Sequence, residues 1–323
     1  MKKELFNGLC TALVTPFLDN GKVDYQSFQL LIKRQLEAKV DAILILGTTG
    51  EGSTIEYKER TQLIKLARKL VTPPTKLLIG TGCNDTAHAL KYTLQAQKLK
   101  VDGVLIATPY YNKCSQNGAF EHYKFIAENS NIPIILYNVP SRTGFNLEID
   151  TIQKLSTFQN IVGIKESNSN TTHIKDLCKT IKNMAIYSGN DDQNHLFLSL
   201  NASGSISVLS NIFPQKMKQI FDKAKINIDT AKNDFDNLQI FCKNLFVDVN
   251  PIPVKYVLYK MGLIKYSYRL PLTKLSQKDE VVLDYTFNLM QKKSIWQNHI
   301  DQNLFFVSVN FGVLNRRLTY LSS

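Results

Sequence analysis

Eight short apolar runs recur along the chain, at residues 9–14, 42–46, 76–79, 103–107, 133–137, 161–165, 185–188 and 205–208. Between them lie segments with apolar residues at helical spacing, such as 25–38, 58–70, 86–99, 119–128 and 172–181. Strands separated by helices need a crossover that returns over the sheet, so neighbouring strands run parallel. Eight such units predict an α/β protein in which the sheet closes into a (β/α)8 TIM barrel. An open doubly wound sheet is the competing architecture, but the first strand is not followed by G-x-G-x-x-G. Asp24, Asn84-Asp85 and Asn117-Gly118 stand near helix openings as capping residues. After Pro214 the pattern becomes helical, at 217–225, 230–246, 254–260 and 279–292. The expected organisation is a barrel over 1–226 and a helical appendage over 227–295. Residues 296–323, with the run Phe305-Phe306-Val307-Ser308-Val309-Asn310-Phe311, form an atypical tail, either docked or disordered, to which no function is given.

Composition narrows the function classes. A chain of 323 residues with 44% hydrophobic and 20% charged residues can bury a sizeable core and does not read as disordered. The formal charge is +12, yet the lysines are scattered over helical faces and no run of five basic residues occurs. That is a solvated basic surface and not a nucleic-acid site. Five cysteines without C-x-x-C spacing indicate reduced structural thiols in a cytoplasmic protein. The start, Met1-Lys2-Lys3-Glu4, leads into no signal-peptide core, and no apolar run reaches membrane-spanning length, so no membrane association is expected. The five histidines are dispersed without H-E-x-x-H, which speaks against a metal site.

In a parallel barrel the site is built from loops that follow the strands. Gly47-Thr48-Thr49-Gly50-Glu51 follows the second strand and Thr108-Pro109-Tyr110-Tyr111-Asn112-Lys113 the fourth. The fifth ends in Tyr137 and the sixth in Lys165; Gly189 follows the seventh and Ile206 sits on the eighth. Each has an ordinary reading when taken alone. Lys165 is one of 39 basic residues, the Gly-Thr loop is a turn without the G-K-[ST] of a P-loop, the tyrosines are rim aromatics, and Arg142 is a surface charge. Asp191-Asp192 reads as a helix start. At one end of one barrel they suit amine–carbonyl chemistry. A nucleophilic lysine must be neutral, and at a reference pKa of about 10.4 only about one in a thousand is neutral near pH 7.4. Burial disfavours the ammonium and raises that fraction. A tyrosine hydroxyl backed by a threonine can shuttle the protons of carbinolamine formation. Hydroxyls and loop amides of Thr48-Thr49 can hold a keto acid's carboxylate, and Arg142 can hold a second one.

Gly47-Thr48-Thr49-Gly50-Glu51, Tyr137-Asn138-Val139-Pro140-x-Arg142-Thr143-Gly144 and Gly163-Ile164-Lys165-Glu166 resemble the motifs of the pyruvate-dependent class I aldolase and lyase family, which includes N-acetylneuraminate lyase. The resemblance runs from about Phe6 to Gln291. It implies that Lys165 forms a Schiff base with pyruvate, with no metal or other cofactor, and that Tyr137 donates and accepts protons. Thr48 then links Tyr137 to Tyr111, Thr49 binds the pyruvate carboxylate, the Ile206 carbonyl lines the lysine pocket and Gly189 lies at its wall. Tyr111 in such proteins reaches a neighbouring subunit, which implies a homotetramer built as a dimer of dimers. Arg142 with Tyr111 favours the family's synthase branch, lyases of lysine (diaminopimelate) biosynthesis that condense pyruvate with L-aspartate 4-semialdehyde. The runner-up is an aldolase acting on N-acetylneuraminate or a 2-keto-3-deoxy sugar acid, and an inactive barrel serving as a binding protein is the reading from another class. Members inhibited by L-lysine carry an acidic residue on the helix after the third strand. His88 stands there in this chain, with Asn84 and Tyr110 matching the remaining pattern, so feedback by lysine is expected to be weak or absent.

Overall fold

Strictly alternating strands bury one set of side chains inside a closed sheet and the other set against surrounding helices. The computed structural model describes residues 2–292; the tail expected over 296–323 lies outside the described residues. The eight strands are β1 Gly8–Ala12, β2 Ala42–Ile45, β3 Lys76–Gly80, β4 Gly103–Ala107, β5 Ile134–Asn138, β6 Ile161–Glu166, β7 Ala185–Ser188 and β8 Gly204–Ser207. All pair in parallel in sequence order, and β8 closes on β1. The expected TIM barrel with a C-terminal helical appendage is therefore the observed fold. β1 stops before Val14 because the Val14 amide donates to Asn211 Oδ1 instead of continuing the ladder.

The helices between strands are α1 Tyr25–Glu37, α2 Tyr57–Leu70, α3 Thr86–Lys98, α4 Gln116–Glu128, α5 Pro140–Thr143, α6 Ile149–Leu155, α7 Thr171–Thr180 and α8 Asn194–Ser199, with α9 Pro214–Ile226 after β8. The appendage follows as α10 Ile228–Asn244, α11 Ile252–Lys260 and α12 Gln277–Lys292. Asp24 and Asp85 cap α1 and α3, each accepting from the amide three residues on. α4 corrects the expected start at Asn117-Gly118. Ser115 is its cap, because its hydroxyl lies three residues before the Gly118 amide and accepts from it. Among the described residues, no helix is long and apolar enough to cross a membrane.

Cys10, Ala12, Leu44, Leu78, Leu105, Ile135, Tyr137 and Ile206 point into the barrel, while Leu9, Ile43, Ile79, Ile106, Leu136 and Ile186 meet the helices. Tyr187 stacks on Phe6, with ring centroids 4.3 Å apart, and fills the amino-terminal end. β6 breaks the alternation. Ile134 pairs with Ile161, but Ile135 pairs with Gly163, so Val162 is an extra residue in the ladder. Val162 packs against the inner cluster although its partnered neighbour Gly163 also faces inward. A bulge of this kind shifts the parity of everything after it. Without it Lys165 would face the helices; with it Lys165 faces the barrel interior.

The appendage is fastened to the barrel by a buried ion pair. Lys255 on α11 reaches Glu51, in the loop after β2, with Nζ 2.6 Å from Oε1 and side chains 1% and 2% exposed. The Lys255 ammonium also lies 4.3 Å from the ring centroid of Phe17 and 4.9 Å from that of Tyr268. Burial pushes the Glu51 carboxyl up and the Lys255 amine down, and their mutual attraction opposes both shifts. Removing one member of such a pair strands the other charge, at about 3–5 kcal/mol. Lys255→Met is expected to lower the melting temperature sharply, and Glu51→Leu in the same chain to recover much of the loss; calorimetry on the two variants checks this.

Candidate active site

Lys165 and Tyr137 are register partners on β6 and β5, both at the carboxyl ends of their strands. The Lys165 amine sits 4.3 Å from the Tyr137 ring centroid, and the two residues are 5% and 7% exposed. Beneath them Cys10 is fully buried, and burial pushes its thiol far up although the Lys165 charge pulls it down. The thiol therefore stays neutral and places no anion under the amine. Lys165 and Tyr137 open onto a cavity of about 460 Å³ that Thr48, Thr49, Arg142 and Gly189 also line.

Thr49 is 4% exposed, and its hydroxyl oxygen accepts from Asn250 Nδ2 at 3.0 Å. That contact leaves the hydroxyl proton available to a ligand. Thr48 is exposed on the cavity wall. Arg142, in the short helix α5, donates from Nη2 to the Asn250 carbonyl at 3.1 Å. One residue of the α10–α11 loop thus touches both anion-binding candidates. Nothing in the sequence marks Asn250 as part of the site, since it lies 201 positions from Thr49. The one usable signal is the Asn250-Pro251 dipeptide, which marks a loop between helices but not where that loop packs.

Gly189 follows β7, and its smallness is a requirement. A Cβ there would stand 1.9 Å from Ser167 Oγ, 2.9 Å from the Glu166 carbonyl and 3.0 Å from Lys165 Cε. Any side chain would displace the lysine stem. Ile206 is fully buried in the same inner cluster, and Val208, two residues on, reaches the cavity. Asp191 opens a 3-10 turn, as a helix start would, and does more. Its Oδ2 accepts from the Val208 and Leu209 amides at 2.9 and 2.8 Å, tying the β7 loop to the end of β8.

Tyr111 stands apart. It is 90% exposed, with backbone φ at 70°, a conformation that costs a tyrosine energy. The loop that carries it is tied to the loop after β3 by Asn112 Nδ2 donating to the Asn84 carbonyl at 3.0 Å. Tyr110 is half-buried beside Cys83, and burial raises its phenol. His88 is exposed and turns back on its own helix cap, with Nδ1 3.2 Å from Asp85 Oδ1. Asn84 and Tyr110 therefore cluster, while His88 is occupied by Asp85. Among the described residues, no group of three or more His, Cys, Asp and Glu side chains is placed to hold a metal ion.

On the outer side of the same strands lies a buried polar network. Glu166, wholly buried, accepts from Asn138 Nδ2 at 2.9 and 3.1 Å and from the Asn168 amide at 2.6 Å. His173 on α7 completes it, with Nε2 3.2 Å from Glu166 Oε2. That hydrogen bond holds the imidazole pKa above its ordinary value, and the charge of Asp176 adds to it.

A parallel eight-stranded barrel with a buried lysine and tyrosine at its carboxyl-terminal mouth is the class of protein that fold and cavity define. Residues 5–287 match the dihydrodipicolinate synthetase family, and the chain belongs to that family. It is 43% identical over 284 residues to a 4-hydroxy-tetrahydrodipicolinate synthase of Fervidobacterium nodosum, covering 87% of this chain and 97% of that protein. Among solved structures it resembles dihydrodipicolinate synthase from Aquifex aeolicus, with TM-score 0.86 and 36% identity over 88% of this chain and 98% of that one. It also resembles the chloride-inhibited dihydrodipicolinate synthase from Acinetobacter baumannii complexed with pyruvate, with TM-score 0.85 and 39% identity over 87% of this chain and 98% of that one.

Because the folded-state pKa of His173 is raised, its protonated form stabilises the fold. That contribution is complete below the unfolded value of about 6.5 and is lost as pH rises through the raised folded value. The melting temperature of the native chain is therefore expected to exceed that of His173→Asn by more at pH 6 than at pH 9. Equal differences at both pH values would contradict this assignment.

Proposed function

We propose that the chain condenses pyruvate with L-aspartate 4-semialdehyde to give 4-hydroxy-tetrahydrodipicolinate, a step of lysine (diaminopimelate) biosynthesis. The observation that carries the reading is the buried Lys165 amine over the Tyr137 ring, in a cavity whose two anion-binding candidates are both held by Asn250. The names of the relatives agree with it.

Lys165 Nζ attacks the keto carbon of pyruvate, and loss of water from the carbinolamine leaves a Schiff base. Tyr137 exchanges the protons of that step, and Thr48 connects its hydroxyl to Tyr111. Thr49 and the loop amides hold the pyruvate carboxylate. The iminium is the electron sink, so loss of a methyl proton gives an enamine whose carbon adds to the aldehyde. No metal or other cofactor is needed. The acceptor's own amine then displaces Lys165 and closes the ring. Arg142 receives the acceptor's carboxylate, a role an N-acetylneuraminate or sugar-acid aldolase does not require. Tyr111 serves the site of a neighbouring subunit in a homotetramer built as a dimer of dimers, and the protein acts in the cytoplasm.

Borohydride reduction in the presence of pyruvate is expected to add a covalent mass to Lys165, and Lys165→Ala to abolish it. Arg142→Ala removes a charged hydrogen bond of about 1.5–3 kcal/mol, or roughly 10- to 150-fold. The rise should fall on the KM for aspartate semialdehyde and spare that for pyruvate. A missing adduct on the native chain would sink the Schiff-base reading, and faster cleavage of sialic acid than condensation would sink the choice of acceptor.

L-lysine is proposed to be a weak effector or none. His88 offers no carboxylate for a ligand's ammonium, and Asp85, which lies beside it, is engaged as the α3 cap. Steady-state rates are expected to hold through millimolar lysine; inhibition below that concentration would overturn the assignment.

A further inference from the structure

The cavity at the barrel mouth carries both signs of charge. Arg142 lines it with a guanidinium beside the Lys165 amine, and Asp248 is the carboxylate among its described lining residues. Asp248 belongs to the α10–α11 loop, two residues before Asn250. An acid in the wall of a site for two carboxylate substrates is unfavourable by simple electrostatics, since like charges in a partly desolvated space repel. A bound cation would reverse that sign. Among the described residues, no Lys, Arg or His forms an ion pair with Asp248. Arg142 shares the cavity but is turned to the Asn250 carbonyl at 3.1 Å. Asp248 is turned to the backbone, its Oδ1 accepting from the Val249 amide at 2.6 Å. A guanidinium and a carboxylate, each held in place and not paired with the other, complement the carboxylate and ammonium of an α-amino acid.

The geometry points to Asp248 as the residue that recognises the α-ammonium of the acceptor, while Arg142 takes its carboxylate. This inference rests on the proposed condensation and deepens it. It makes Asp248 a specificity residue that favours an amino-acid aldehyde over a plain semialdehyde or a sugar aldehyde. An acceptor without the ammonium would leave the Asp248 carboxylate without a charged partner, and discrimination by a polar group exceeds what apolar shape alone supplies. The loop from the appendage then selects the acceptor, and the barrel supplies the chemistry.

The test compares L-aspartate 4-semialdehyde as substrate with succinic semialdehyde, which keeps the carboxylate and lacks the ammonium, as competing ligand. In Asp248→Asn the KM for L-aspartate 4-semialdehyde is expected to rise about tenfold, while the Ki of succinic semialdehyde stays within about twofold or falls. Asp248→Glu, which keeps the charge, should retain the native preference. Trapping of pyruvate by borohydride verifies that each variant is folded. Equal shifts for both ligands, no shift for either, or loss of preference in Asp248→Glu as in Asp248→Asn would overturn the assignment. A native chain that traps pyruvate but consumes no aspartate semialdehyde would instead overturn the choice of acceptor, and this inference with it.

Discussion

The register between β5 and β6 is the constraint on which the site depends. On the inner side it sets Tyr137 beside Lys165, and on the outer side it sets Asn138 beside Glu166. The outer pair is the more demanding one. A wholly buried carboxylate is costly unless it is hydrogen-bonded on several sides, and Glu166 takes Asn138, Asn168 and His173. A slip of one residue would strand that carboxylate among apolar side chains and turn Lys165 to the helices at the same stroke. Satisfying Glu166 therefore also aims Lys165. The Val162 bulge makes the two requirements compatible, because it lets Lys165 face inward while Glu166 faces α7.

A second constraint comes from the appendage. The Thr48-Thr49 loop ends in Glu51, whose backbone is left-handed with φ at 52° and whose carboxylate is buried against Lys255. Burial alone would drive both groups toward neutrality, and their contact opposes that shift. Five residues before Lys255, Asn250 donates from Nδ2 to the Thr49 hydroxyl and accepts from the Arg142 guanidinium on its carbonyl. The loop between α10 and α11 thus forms part of the cavity wall, through Phe246, Asp248, Val249 and Asn250, and it contacts both Thr49 and Arg142.

Much of this is legible in the sequence, for reasons that can be named. The eight strands show because parallel barrel strands are apolar on both faces, and the helices show through their 3.6-residue period. Lys165, Tyr137, Thr49, Thr48, Arg142 and Gly189 line one cavity because strand ends in a barrel converge, and their order along the chain follows the order of the strands. What is hidden depends on long-range contact. The bulge leaves little trace in Ile161-Val162-Gly163-Ile164-Lys165 beyond Gly163, where a Cβ would stand 3.0 Å from the Ala185 carbonyl and 3.1 Å from Tyr187 Cε2. Asn250, Asp248 and Lys255 read as ordinary loop and helix residues, because periodicity records which face is apolar and not which loop returns to the mouth. Ser115 was obscured by Asn117-Gly118, a pair with equally good capping chemistry two residues later.

Tyr111 is not among the described residues that line the cavity of its own chain. A non-glycine residue in the left-handed region costs of order 1–3 kcal/mol and persists only where its surroundings fix it. Here Asn112 is tied to the Asn84 carbonyl, Tyr110 is half-buried beside Cys83, and Lys113 shares the left-handed backbone at φ 48°. The loop is therefore held from both flanks while the ring between them projects into solvent, 90% exposed. An exposed ring and hydroxyl on a loop held from both flanks is the placement that the proposed proton relay through Thr48 and Tyr137 requires of a neighbouring subunit's tyrosine.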